Sequence, residues 1–140
     1  MRYDKQAARD AYIKQRDETR QYVEQLIAHA DLLDDDGYPT EACLEAISKW
    51  HFSDEKGWFD FIRQHWHLAS WGWSEGEEDH EYREGEKVYR YHLSTGGWSG
   101  NEGIIKAMQA NEMMWMLNWF QSRRGGHYIF EQYTVRDDDE

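Results

Sequence analysis

Small and apolar residues recur at helical spacing through the beginning of the chain. Between about residues 4 and 33 they are separated by steps of three, four or seven, with charged residues in between, which predicts a long amphipathic helix. Residues 37–39 end this helix, because glycine accepts the left-handed turn that closes a helix and proline cannot continue one. We expect Thr40 to cap a second helix, and residues 53–55 to begin a third that runs to about Trp66.

Beyond residue 70 the spacing of apolar residues changes from helical to alternating. Residues 71–73 and 87–93 fit β-strands, since the side chains of the longer segment alternate between two sides. The acidic residues between them, 75–86, then form the connection of a hairpin. A final strand is expected over residues 127–136.

One helix is expected before the final strand, from about residue 101 to residue 120. Its second half is rich in methionine and tryptophan and is apolar almost all round. A helix with this pattern is buried, so we expect it to be the central helix of the core. Any side that the sheet leaves uncovered would be buried in a homodimer or would serve as an adaptable partner surface.

This order of elements predicts an α+β protein. A helical N-terminal half packs on a small, mostly antiparallel sheet of about three strands, with one central Met/Trp-rich helix. We expect a single domain over residues 1–140, made of a helical half (1–70), a β-β-α-β half (71–136) and an acidic tail (137–140).

Composition limits the classes of partner. The 140 residues include 16% aromatic residues, too much apolar bulk for a disordered acidic chain. The formal net charge of -12 repels phosphates and anionic headgroups, so neither direct nucleic-acid binding nor membrane binding is expected. A single cysteine, Cys43, excludes an internal disulfide, and the first residues lack the apolar core of a signal peptide. We therefore expect a cytoplasmic protein.

The negative charge is concentrated in the expected hairpin. Residues 75–86 carry a net charge of -6, whereas residues 87–136 carry +3. A charge run at a hairpin tip is often only solvated, but these acids are also candidates for occupying a basic site on another protein. The candidate partner-binding residues are Glu77, Glu78, Asp79 and Glu81.

A glycine-rich segment after the second strand is the candidate ligand site. Glycines next to a helix start expose several backbone N–H groups towards one point, where the helix dipole adds positive potential. At the other end of that helix, two arginines and a histidine precede the last strand, and they suit a phosphate or carboxylate if that strand returns beside the second. The candidate ligand-binding residues are Ser94, Thr95, Gly96, Gly97, Trp98, Ser99, Gly100, Asn101, Glu102, Arg123, Arg124 and His127.

Each of these features also has a purely structural interpretation. Ser99 and Glu102 have capping-box spacing, which satisfies the first backbone donors of the helix without a ligand. The arginines could equally pair with carboxylates of the hairpin or with the carboxyl end of the helix. The glycine spacing matches neither the phosphate-binding loop nor the dinucleotide fingerprint, so no cofactor is assigned.

The sequence assigns no catalytic residue and no metal site. His65 and His67 are the only close histidine pair, and no third ligand is spaced as in a known zinc site. Cys43 lies among small apolar residues, which favours a buried thiol over a nucleophile. An enzyme that uses Glu102 or His127 as a base is the least supported function.

Two sequence blocks carry a resemblance to a group of viral proteins. STGGWSGNE (94–102) and SRRGGHYIFE (122–131), joined by the Met/Trp-rich helix, resemble small uncharacterised proteins encoded by bacteriophages and prophages. DLLDDDGYPTEACLEAISKW (31–50) is similar to their N-terminal part, so the resemblance covers most of the chain. It implies no established activity, but it implies a protein that acts in the host cytoplasm on a host factor or a small molecule.

Two functions stay open on this basis. The first is a small acidic interaction protein of phage type that is not an enzyme and binds a host factor, with inhibition of that factor and formation of a homodimer left open. The alternative is a binding module for a small anionic ligand or nucleotide, held by the glycine-rich loop and the arginine pair.

Overall fold

The computed structural model describes residues 4–132 and confirms the α+β class. Over these residues it contains six helices and one antiparallel sheet of four strands, one more than expected. The elements are α1 (Lys5–His29), α2 (Glu41–Lys49), α3 (Glu55–His65), α4 (Ala69–Gly72), β1 (Trp73–Asp79), β2 (Lys87–Ser94), α5 (Ser99–Ala110), α6 (Glu112–Asn118), β3 (Trp119–Arg123) and β4 (His127–Gln132).

Side-chain caps begin the first three helices. The Asp4 carboxylate accepts hydrogen bonds from the first turn of α1, which ends at His29 rather than at residue 33. Thr40 caps α2 as expected, its Oγ1 accepting from the Cys43 N–H at 3.3 Å. Asp54 caps α3, accepting from the Gly57 N–H at 3.0 Å. These short-range bonds satisfy backbone donors that have no partner within a helix.

The prediction of a strand at residues 71–73 is wrong for its first two residues. Trp71 and Gly72 end the short helix α4, and β1 begins at Trp73. The reason is a turn at Leu68, whose backbone adopts the left-handed conformation with φ of 55° and ψ of 47°. The N–H groups of Trp71 and Gly72 both donate to the Leu68 carbonyl, at 3.0 and 2.9 Å, so neither is available to a strand.

The single helix expected over residues 101–120 is also wrong, because the chain breaks at Asn111. The Asn111 Nδ2 donates to the carbonyls of Ile47 at 3.0 Å and Trp50 at 2.9 Å, at the carboxyl end of α2. The Asn111 Oδ1 accepts from the Met114 N–H and so starts α6 as a new helix. After seven residues the chain enters β3, the strand that the sequence analysis did not predict.

The strand order is β1-β2-β4-β3, with every neighbouring pair antiparallel. The inner face of the sheet carries the register partners Tyr91 and Phe130, and the Phe59 ring of α3 stacks on Tyr91 at 3.9 Å. The outer face carries Arg90 and its register partner Glu131. The expected strand residues 133–136 and the acidic tail 137–140 lie outside the described residues.

Within the described part of the chain, no helix combines the length and the apolar character that a membrane span requires.

The core lies between the helices and the inner face of the sheet. The largest fully buried side chains include Trp58, Tyr91, Phe59, Phe130, Ile47 and Ile62.

Candidate functional site

The two glycine-bearing segments predicted as a ligand site lie side by side. Ser94 at the end of β2 is the register partner of His127 at the start of β4. The Thr95 N–H donates to the Gly126 carbonyl at 3.0 Å, which joins the loop after β2 to the turn before β4. The final strand therefore returns beside β2, as the sequence analysis requires.

Backbone geometry explains the glycines of this corner. Gly96 and Gly97 have φ values of 64° and 76°, in the region that favours glycine. A Cβ on Gly126 would lie 2.4 Å from the Thr95 Oγ1. Thr95 is buried, and its hydroxyl accepts from the Gly97 N–H at 3.3 Å. These glycines are needed by the fold itself, whether or not a ligand binds.

The predicted capping box at Ser99 and Glu102 does not form. The residue before the helix is Trp98, and no side chain caps α5. Ser99 is already helical, and both it and Glu102 are exposed. The ring of Trp98 folds back over Gly100, where a Cβ would lie 2.2 Å from it. This packing sets the start of α5 one residue earlier than a serine cap would need.

A pocket of ≈290 Å³ opens beside the glycine-rich loop. Four residues of the predicted site line it, namely Thr95, Gly96, Trp98 and Asn101. The facing wall is His67, Leu68 and Trp71, which the sequence analysis does not assign to a ligand site. No local pattern could have found this wall, since its position depends on the left-handed turn at Leu68.

Asn101 holds this pocket together rather than facing a ligand. It is 2% exposed, and its side chain pairs with the peptide groups of His67. The His67 N–H donates to the Asn101 Oδ1 at 2.9 Å, and the Asn101 Nδ2 donates to the His67 carbonyl at 3.1 Å. The His67 ring lies 4.3 Å from that of Trp98, whose ring centroid is also 4.6 Å from that of Tyr38. The pocket wall is therefore fixed by hydrogen bonds and ring packing.

The predicted arginine pair does not line the pocket. Arg123 ends β3 opposite His127, and its Nε donates to the Gln121 Oε1 at 3.0 Å. Arg124 follows in the turn before β4, and both arginines are exposed. Since none of the residues lining the pocket is Arg or Lys, the structure joins the loop to His127 but does not place a cationic side chain in the pocket.

The groups that the sequence analysis considered for catalysis are hydrogen-bonded or buried within the fold. The Ser94 Oγ lies 2.7 Å from the His127 Nδ1, a hydrogen bond between register partners on neighbouring strands. Burial, then the charges of His92 and Arg123, hold the pKa of His127 below its ordinary value. Burial raises the pKa of the Cys43 thiol to about 11, so this thiol stays protonated and unreactive at neutral pH.

Glu78 and Asp79, two of the predicted partner-binding acids, form ion pairs with other described residues. The Glu78 carboxylate lies 3.1 Å from the Arg90 Nη1 and 2.7 Å from the His92 Nε2. Partial burial alone would raise the pKa of Glu78, but the hydrogen bonds from His92 and Arg90 outweigh it and hold that pKa below its usual range. Asp79 is paired with Lys87 across the hairpin. These charges are partly neutralised before any partner binds.

The other two predicted acids, Glu77 and Glu81, have exposed side chains. Glu77 lies on β1, the edge strand of the sheet, and Glu81 lies in the connection between β1 and β2. Acids on an edge strand discourage pairing with other strands.

An exposed apolar surface lies on α6 and the start of β3. Positions 113, 116 and 117 share one side of α6, since residues three and four apart are neighbours on a helix. The opposite side buries Met114 and Asn118. Met116 is 71% exposed, and the other members of the set are 41–44% exposed. This α6 surface consists of Met113, Met116, Leu117 and Trp119.

No protein-family model, curated protein or solved structure matches this chain. Among the described residues, no three His, Cys, Asp or Glu side chains converge as a metal site needs. Two surfaces of the described residues are taken up below, the α6 surface and the pocket beside the glycine-rich loop.

Proposed function

We propose that the protein is a small non-enzymatic interaction protein that binds a basic partner protein through the α6 surface. The exposed methionines, leucine and tryptophan of this surface are the observation that carries the proposal. The resemblance to phage proteins makes a host factor the natural partner, and inhibition of that factor is one consequence of binding.

The geometry of α6 supports a docking role. Its buried side already anchors the helix through Met114, so the fold does not need further apolar residues on the outer side. Complete burial of a Met or Leu side chain contributes about 1.5–3 kcal/mol, and covering the exposed part of Met116 or Leu117 contributes a share of that amount. Methionine also repacks readily around different shapes, which suits a surface that must fit another protein.

Charge favours a basic partner over a second copy of the chain. Two copies would each bring a net charge of -12, and this repulsion opposes their association. A basic protein would instead be attracted over a distance set by the ionic strength. The exposed acids Glu77 and Glu81 contribute to this attraction without belonging to the apolar contact.

The alternative of a small anionic ligand has less support. The neighbouring glycine-rich segments favour it, because they bring several backbone groups to one corner. The absence of Arg and Lys from the pocket lining weakens it.

The test compares three baits in capture from host lysate. They are the wild-type chain, the double variant Met116→Gln/Leu117→Gln, and Tyr82→Gln as a matched control at an exposed aromatic residue of the hairpin. The substituted residues of both variants are exposed, so the free energy of unfolding measured by thermal denaturation should change by no more than about 0.5 kcal/mol. Captured proteins are then purified and their affinities measured at low and high salt.

The proposal predicts a partner with net positive charge that binds the wild type and Tyr82→Gln alike. The double variant should bind it at least about tenfold more weakly, and salt should weaken the wild-type complex. A partner that binds the double variant equally well would refute the α6 surface. A wild-type dimer in sedimentation that the double variant abolishes would identify a second copy as the occupant and refute the basic partner.

A further inference from the structure

We propose that the pocket beside the glycine-rich loop binds an uncharged planar heteroaromatic ring, such as the base of a nucleoside, stacked on Trp71. This ring pocket is lined by His67, Leu68, Trp71, Thr95, Gly96, Trp98 and Asn101. The inference is independent of the α6 surface and adds a second, small-molecule site to the protein.

Trp71 is the residue that points to a stacking ligand. It is 69% exposed, whereas Trp58, Trp66 and Trp73 are buried in the core. Its ring rests against the loop, since a Cβ on Gly96 would lie 3.1 Å from the Trp71 Cζ3. One edge of the indole is thus held by the backbone of the loop while most of its surface remains available. An aromatic ring held in this way is a platform on which a planar ligand can stack.

The backbone that presents Trp71 is strained and firmly held. Leu68 is the one non-glycine residue with positive φ among residues 4–132. A residue with a Cβ adopts this conformation only at an energetic cost, and such residues cluster at binding sites. The turn survives because Asn101 fixes the preceding peptide groups of His67. It also leaves the Leu68 side chain 61% exposed at the mouth of the ring pocket.

Size and chemistry define the class of ligand. A volume of ≈290 Å³ is at the lower end for small-molecule sites, which suits one ring or two fused rings. The lining contains no Asp, Glu, Lys or Arg, and its one ionisable side chain is the His67 imidazole, so no permanently charged side chain is there to match a charge on the ligand. The Trp71 indole N–H donates to no group within the described residues and is available to a ring nitrogen or carbonyl oxygen. Phosphate groups would meet the negative potential of a chain with charge -12.

The experiment titrates ¹⁵N-labelled protein with adenosine, guanosine, cytidine and uridine, and observes the indole N–H signals by NMR. Adenosine monophosphate tests the effect of charge, and N-acetyltryptophanamide tests whether the pocket instead receives an aromatic side chain. Trp71→Ala removes the platform, and Trp119→Ala is the matched control, because Trp119 is exposed on the separate α6 surface.

We expect at least one nucleoside to shift the Trp71 indole signal and to bind the wild type and Trp119→Ala equally. Trp71→Ala should weaken that binding at least about tenfold.

Tighter binding of the monophosphate than of adenosine would overturn the uncharged class. Binding of N-acetyltryptophanamide alone would overturn the small-molecule class in favour of a protein side chain. No shift with any nucleoside, or equal binding by Trp71→Ala, would overturn the site. The double variant Met116→Gln/Leu117→Gln should bind the nucleoside normally, which separates this outcome from failure of the α6 surface.

Discussion

Replacement of Asn101 by leucine removes the hydrogen bonds that hold the wall of the ring pocket while keeping the side-chain volume. Two bonds to the His67 peptide groups are lost, each contributing about 0.5–1.5 kcal/mol net. The leucine side chain has no hydrogen-bonding group, so it cannot replace either bond. We therefore expect Asn101→Leu to lower the free energy of unfolding by about 1–3 kcal/mol.

Urea denaturation followed by tryptophan fluorescence measures this change. Gln109→Leu is the matched control, because Gln109 is an exposed amide on the same helix, and it should change stability by no more than about 0.5 kcal/mol. The near-ultraviolet circular dichroism of Asn101→Leu should also change, since His67 packs against Trp98. If Asn101→Leu is as stable as Gln109→Leu, water replaces both bonds and the wall is held in another way.

Two further predictions concern the glycine corner and pH. In urea denaturation, Gly126→Ala should lower the free energy of unfolding by at least about 1 kcal/mol more than Gly125→Ala. Both glycines have positive φ, but only a Cβ at position 126 would lie against Thr95. Equal losses of stability would contradict this close packing. Burial holds the pKa values of His51 and His127 below the ordinary histidine value. The unfolded chain therefore binds more protons, and stability should fall as the pH is lowered through and below the ordinary histidine pKa. His51→Gln should flatten this slope, and an unchanged slope would contradict the assignment.

The helical half is predictable because its signals are local. Thr40 precedes a helix and caps it through the Cys43 N–H, only three residues away. Asp54 acts in the same way on α3. Such a hydrogen bond joins residues that are close in the sequence, so the local sequence pattern is enough to predict it.

The break at Asn111 could not be predicted, because its cause lies more than sixty residues away. Its side chain bonds to the carbonyls of Ile47 and Trp50. The apolar run that follows fits a buried helix and a buried strand equally well, so periodicity cannot place the start of β3 at Trp119.

The candidate site was predictable in part. The pairing of Ser94 with His127 follows from a final strand that returns beside β2. The place of Trp71 does not follow from the sequence, because an alternating Trp-Gly-Trp segment favours a strand, whereas the left-handed turn at Leu68 forms a helix there. Local pattern thus identifies one wall of the pocket and misses the other.

The strand order determines when the sheet can close during synthesis. The hairpin of β1 and β2 can form once residue 94 has been made, but β4, which lies between β2 and β3, ends at Gln132. In the interval, the nascent chain exposes the free edge of β2 with its apolar side chains Tyr91 and Leu93. Such an edge is a template for pairing with other chains. The edge of β2 is therefore open to pairing with other chains until β4 is added to the sheet.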